Sequence, residues 1–308
     1  MKSAGSVVYT VEEQVITRLA RIFKGETVAI GTTICADLAA RLAKLLYAPE
    51  LVLVSGSLAM FDGPPTPRLL NEDLSTAKTF GGAADWVHHL QLVCHDKATI
   101  CVGPVQVDRS GSANISVVGP WATPSVQFIG SRGMPDDLVG LGGIYFHVRE
   151  HSLKSLPAEV DFVCSLGYGA RRTSLGLLTG VPKLLVSNLG VFDFDLEQGA
   201  MRVESLHATV QFEDVQAATG FQLLRPARIP VTEPPTSEEL RAIREILDPL
   251  GLRQYASTSA LTAAISQLTR KEQNLLALDE TTVRRLGSAI QHGTSSQENE
   301  NTPSREAK

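Results

Sequence analysis

The chain has 308 residues, 43% of them hydrophobic and 20% charged, with a net charge of −5 and a pI near 5.8. A chain of this length buries about 75% of its unfolded surface without disulfide or metal staples. The acidic balance, with no Lys/Arg-rich stripe, excludes nucleic acid as the main partner. No apolar run approaches the ~18 residues of a membrane span, and no apolar segment precedes the first charges of MKSAGSVVYTVEEQ, so no membrane contact is expected.

The first element is a helix over 11–23, with apolar residues at 11, 15, 16, 19, 22 and 23 behind a Thr10 cap. Lys24-Gly25 ends it, and 27–30 is a short strand. Gly31-Thr32-Thr33 then leads into a helix over 35–47, a strand-to-helix turn of the kind that often receives phosphates or is simply a turn. The aliphatic run 51–54 predicts a strand buried on both faces. The Pro/Gly-rich stretch 57–84 carries no clear element. A helix over 85–97 and a strand over 99–102 follow.

This alternation predicts an α/β fold with an open, mainly parallel sheet covered by helices. From residue 112 the texture becomes strand-rich: ANISVVG, VQFIG, GIYFHV, DFVCSLG and KLLVSNLGVFDFD come close together. VQFIG reads as a short buried strand. The paired prolines before Thr236 announce a helix over 237–247, with Glu238 and Glu239 in its first turn. Beyond 254 the composition drifts. Surface helices are expected at 259–267 and 279–291, and 293–308 is too polar to bury a core and reads as disordered. The organisation expected is therefore one domain over 1–254, a helical extension over 255–292 and the tail.

The four cysteines, Cys35, Cys94, Cys101 and Cys164, lack CxxC spacing and sit in apolar surroundings, as reduced core thiols of a cytoplasmic protein do. His88, His89 and His95 share one predicted helix with Cys94. No carboxylate completes an HExxH set, so partly satisfied imidazoles on a helix face are the expectation rather than a metal site. There is no GxSxG, no P-loop and no GxGxxG behind a strand.

Gly130-Ser131-Arg132-Gly133 has two readings. Glycines supply positive φ to a plain turn, with Arg132 pairing Asp136 or Asp137. Alternatively, backbone N–H groups beside a cation receive developing negative charge. Longer strings bear on the choice. GPVQVDRSGSANISVVG (103–119), VQFIGSRG (126–133) and LLVSNLGVFDFD…MRVESLHATVQFEDVQAATGF (184–221) together resemble the β subunit of family I CoA transferases, over about residues 11–254. Gly130-Ser131-Arg132-Gly133, LVSNLGVFDF (185–194), Tyr145-Phe146 and Arg149-Glu150-His151 resemble most a steroid ring-opening hydrolase subgroup of that family.

Three departures stand out: Ser112 where the family has Asn, Ala208-Thr209 for its Pro-Gly, and Val54-Ser55-Gly56 for its Glu-Ser-Gly. In the transferases that glutamate attacks the thioester, and a valine has no lone pair to attack with. Asp62 and Glu72 read as solvated loop carboxylates. The resemblance thus implies a β subunit whose catalytic glutamate comes from an α subunit in an α2β2 assembly, acting on an acyl-CoA with no cofactor beyond the substrate's own coenzyme A. A hydrolytic retro-Claisen ring opening is the reaction implied. A true CoA transferase and a non-catalytic thioester-binding subunit stay open.

Under that reading the amides of Gly130 and Gly133 form an oxyanion hole and Arg132 orients a substrate carboxylate. Ser131, Gln106, Asn114, Ser187 and Asn188 are candidate substrate or CoA contacts. For Gln106 and Asn114 the alternative is service to the backbone at their own bend, and for Ser187-Asn188 a turn before Gly190. Asp108 and Arg109 read as turn-closing residues, and His207 as a packed turn histidine.

Overall fold

The computed structural model describes residues 8–54, 59–61, 82–83, 98–128, 130–131, 133–135 and 140–255. The elements expected at 85–97, 259–267 and 279–291, the tail at 293–308, and Asp62, Glu72, His88, His89, Cys94 and His95 lie outside these residues.

Helix α1 (Val11–Phe23) forms because Thr10 and Glu13 close a capping box and the apolar spacing gives one buried face. Strand β1 (Val28–Gly31) follows, then α2 (Ile34–Leu46), capped by Thr33, whose Oγ1 accepts the Ala36 N–H. Next come β2 (Val52–Val54), β3 (Ala59–Phe61), β4 (Gly82–Ala83) and β5 (Ala98–Val102). Two ribbons follow, β6 (Gln106–Val107) with β7 (Ala113–Asn114), and β8 (Val117–Val118) with β9 (Val126–Gln127). The remaining strands are β10 (Gly143–Val148), β11 (Pro182–Ser187), β12 (Gly190–Asp195) and β13 (Ala200–Leu206). Short helices α3 (Ala170–Ser174), α4 (Phe212–Ala217) and α5 (Ser237–Arg241) complete the order, α5 running on into a π-helical turn, Ala242–Leu247.

Among the described residues one sheet runs in the order β13-β12-β11-β10-β5-β1-β2-β3-β4. Its five central strands, from β11 to β2, are parallel, and the flanking pairs are antiparallel. Residues alternate between two cores. Ala29, Cys101, Tyr145 and Val186 face α1, α2 and the π-helical turn, whereas Val28, Ile100, Phe146 and Leu185 face the other side. On that second side the described covering is mostly ribbon and loop together with the short helix α4, contributed by Val107, Ala113, Met134, Leu156 and Val215.

Three strand expectations change. The VQFIG stretch is not a buried strand: β9 is two residues long, and Val126 and Phe128 are 46% and 39% exposed. Its ribbon pairs only with itself, and of its four strand residues only Val117 is buried. ANISVVG is split in two because Asn114 Oδ1 accepts the Ser116 N–H, an Asx turn that breaks the ladder. DFVCSLG forms no strand, only a bridge from Ser165 to Ala113.

The turn after β13 holds Thr209 at φ +73°. A β-branched residue in this left-handed region is strained by roughly 1–2 kcal/mol, at the position where the family resemblance has glycine. Thr209→Gly is expected to raise stability by about 1 kcal/mol, after allowing for glycine's larger unfolded-state entropy. The urea midpoint should rise with its slope unchanged, and a fall would refute the strain.

Candidate functional site

The chain leaves β1 through α2 to β2 on one side, then returns to place β5 on the other side of β1. The C-terminal ends of β1 and β5 therefore form a topological switch point, where open α/β sheets open a crevice for ligands. Thr32 and Thr33 emerge there from β1 and Gly103 from β5. Thr32 donates both its N–H and its hydroxyl to the Cys101 carbonyl, at 3.0 and 3.1 Å. A Cβ on Gly103 would lie 2.6 Å from the Thr33 methyl, so only glycine lets the two strand ends meet. Val54 ends β2 on the far side of β1, paired with Ile30 and 4% exposed.

His147, near the end of β10, lies 3.0 Å through Nδ1 from Thr33 Oγ1. Burial, with Arg149 nearby, pulls its pKa from 6.5 down to about 4. His151 follows on the same edge. Thr219 gives its hydroxyl proton to the Val215 carbonyl, so it accepts from His151 Nε2–H at 2.9 Å. Nδ1 of His151 then accepts from the Ser187 hydroxyl at 3.0 Å. Burial alone lowers His151 to about 4 as well. His207 donates Nε2–H to the Ser187 carbonyl and accepts at Nδ1 from Thr232. Three uncharged imidazoles thus stiffen the C-terminal edge.

The residues singled out from sequence fall into separate groups. Ser187 is fully buried and holds His151, while Asn188 Oδ1 accepts the His151 N–H at 2.8 Å. Gln106 and Asn114 bind each other: Asn114 Nδ2 donates to Gln106 Oε1 at 2.7 Å and to the Val117 carbonyl at 2.6 Å. Gln106 Nε2 donates to Asp161, so the polar atoms of both side chains are engaged at the bend. Asp108 accepts from Ser110 and from the Ser112 N–H, closing its turn. Gly130 sits at φ +87° with no atom within 4 Å of where a Cβ would stand, and the space beside Gly133 is open too. The Ser131 carbonyl accepts from Met134, whose buried side chain anchors the loop to the core. Arg132, Asp136 and Asp137 lie outside the described residues.

Sequence reading passes over His147, and weighs Thr33 only as part of the Gly31-Thr32-Thr33 turn between a strand and a helix. The available signal was a lone histidine in the otherwise apolar strand GIYFHV, which is informative only once Gly31-Thr32-Thr33 is known to end the neighbouring switch. Cys35, Cys101 and Cys164 are free and buried, and burial pushes Cys35 up to about 12 and raises Cys101 as well, so neither of those two serves as a thiolate nucleophile.

No protein-family model matches the chain. The cholesterol ring-cleaving hydrolase IpdB subunit of Mycobacterium tuberculosis is 32% identical over 230 residues, 74% of this chain and 90% of that protein. The chain belongs to the CoA-transferase β-subunit family. The β subunit of glutaconate CoA-transferase from Acidaminococcus fermentans is 27% identical over 249 residues, 77% of this chain and 92% of that one. The crystal structure of Rhodococcus jostii IpdAB superposes with a TM-score of 0.71 at 30% identity, covering 82% of this chain and 100% of the matched chain. The mainly parallel sheet expected from the sequence is therefore the family's own. Among the described residues no helix is long and apolar enough to cross a membrane.

Proposed function

We propose that this β subunit combines with an α-type chain, as α2β2, into a hydrolase that opens a ring of a cyclic carboxylic acyl-CoA in steroid or related catabolism. Val54 carries the reading. In a chain 32% identical to IpdB, the end of β2 holds a buried aliphatic side chain where the transferase pattern has its nucleophilic glutamate. The β subunit then supplies the binding edge and the partner supplies the carboxylate. Its buried free thiols suit the reducing cytoplasm.

In the proposed reaction a water oxygen adds to a ring ketone while the partner's carboxylate takes the water proton. The adjacent C–C bond breaks, its electron pair is delocalised as an enolate, and that carbon takes the proton back. One end becomes a carboxylate and the other a C–H. The Gly130 and Gly133 amides serve the oxyanion, a donor of this kind being worth roughly 2.7–4 kcal/mol. Arg132 clamps a substrate carboxylate. Ser131 contacts the substrate, while Gln106, Asn114, Ser187 and Asn188 hold the surrounding bends in shape for the acyl-CoA.

The test is to purify the chain with its α-type partner and incubate the pair with cyclic carboxylic acyl-CoAs plus acetate or succinate. Mass spectrometry is expected to show substrate plus one water and no CoA on the added acid. CoA appearing on the acid would replace this reading by a true transferase.

A further inference from the structure

Behind the C-terminal edge lies a cavity of about 30 Å3, walled by Glu12 and Val15 of α1, Cys35 of α2, His147, Arg149 and Asn188. That is room for a single water or one oxygen-bearing group. His147 is 4% exposed, and one of its nitrogens is already taken by Thr33. Thr33 Oγ1 accepts the Ala36 N–H at 3.1 Å, and its own proton has no acceptor among the described residues other than His147 Nδ1. The hydroxyl therefore donates to Nδ1, and the ring's proton sits on Nε2. Nε2–H has no hydrogen-bond partner among the described residues and is not one of their fully buried unpaired atoms, so it still reaches open space.

The charged and titratable groups around this ring are Arg149 on its own strand end, Glu12 on α1 and Cys35 on α2. The N-terminus of α2, at Thr33, also disfavours an imidazolium. An uncharged imidazole N–H is a suitable donor to an oxygen that gains negative charge, because the contact strengthens as charge develops. Gly103 brings the end of β5 against Thr33, with its missing Cβ site 3.7 Å from the His147 carbonyl, so the three strand ends of the switch point converge here.

We propose that His147 is a hydrogen-bond donor of the acyl-CoA site, presenting Nε2–H to a carbonyl or carboxylate oxygen of the acyl group, with Thr33 as the positioning residue that fixes its tautomer. The identity of the acyl group rests on the ring-opening reading, whereas the donor geometry does not.

The test uses the assembled complex with His147→Phe, Thr33→Val and Thr33→Ser, each checked for normal assembly and melting temperature. Expected are a roughly 100-fold fall in kcat/KM for His147→Phe and about 10-fold for Thr33→Val. Thr33→Ser keeps the hydroxyl and is expected to stay within about 2-fold. Activity of the wild-type pair should show no limb near pH 6.5 that disappears in His147→Gln. Unchanged kcat/KM in His147→Phe, Thr33→Ser falling as far as Thr33→Val, or such a limb would each overturn the proposal. Should His147→Phe fail to assemble, the Thr33 pair decides alone. Product identity in the wild-type pair tests ring opening separately. If that pair turns over none of the acyl-CoAs, the same ratios are read in their Kd.

Discussion

Acidification from pH 7.5 to 4 is expected to destabilise the chain steeply. Among the described residues its two most perturbed histidines, His147 and His151, are buried and uncharged, each lowered from 6.5 to about 4. A depressed folded-state pKa means that the unfolded chain binds the proton first. The stability contributed by the neutral ring is thus complete above pH 6.5 and is lost as pH falls from there to about 4. Each ring accounts for about 3 kcal/mol over that window, at ~1.4 kcal/mol per pH unit. Two of them take a large share of the roughly 5–15 kcal/mol of a whole domain. His207 is lowered by burial too and adds in the same direction. Below pH 4.5 the loss continues for a different reason. Burial works to raise Glu13 and Glu239, but their arginine partners win and hold both carboxylates below the usual range. Urea unfolding across pH 6.5 to 4.5 checks this. His151→Gln should flatten the slope by one proton, about 1.4 kcal/mol per pH unit, and an unaltered slope would show that His151 titrates normally.

Those histidines show where sequence reading succeeds and where it stops. The first two helices and the strands expected at 27–30 and 51–54, which form at Val28–Gly31 and Val52–Val54, are legible because period and capping are local. The parallel core followed from their alternation. Asn114 reads from the sequence either as a ligand contact or as a residue serving its own bend, and its hydrogen bonds to Ser116 and Val117 cut ANISVVG into two strands. VQFIG failed because apolar character alone cannot show on which side of a two-residue ribbon the side chains lie. The candidate site was least legible. His147 and Thr33 are 114 residues apart, and only the strand order β10-β5-β1 brings them together. Ser187 reads from the sequence as a possible ligand contact, but His151 and His207 flank it from 36 and 20 residues away.

Glu13→Ala is expected to cost about 3 kcal/mol or more, because its carboxylate does two jobs at once. It caps α1 by accepting the Thr10 N–H at 2.9 Å, and it pairs with Arg244 at 2.8 Å and Arg253 at 2.9 Å, while itself fully buried. Glu239 mirrors it from the other segment. It closes the Thr236 capping box, accepts both fork nitrogens of Arg21 at 2.9 and 2.7 Å, and also takes the Tyr47 hydroxyl. Each capping box thus ties its helix to the other, so α1 and the segment 236–255 hold together reciprocally. Removing the Glu13 carboxylate leaves Arg244 without its carboxylate and Arg253 with Asp248 alone, at 2.8 Å, so the loss stays at the lower end of the roughly 3–5 kcal/mol seen when a buried pair is broken. The cap adds about 1 kcal/mol, while the exposure of Arg244, at 41%, reduces the total. A double-mutant cycle of Glu13→Ala with Arg253→Met in urea unfolding isolates the pairing. The double variant should lose at least 1 kcal/mol less than the sum of the singles. Additive losses would mean that Arg253 gains nothing from Glu13, which then acts through its cap and Arg244, and that the 252–255 end is held by Asp248 and by Ile243, Ile246 and Leu247 packing on the helices.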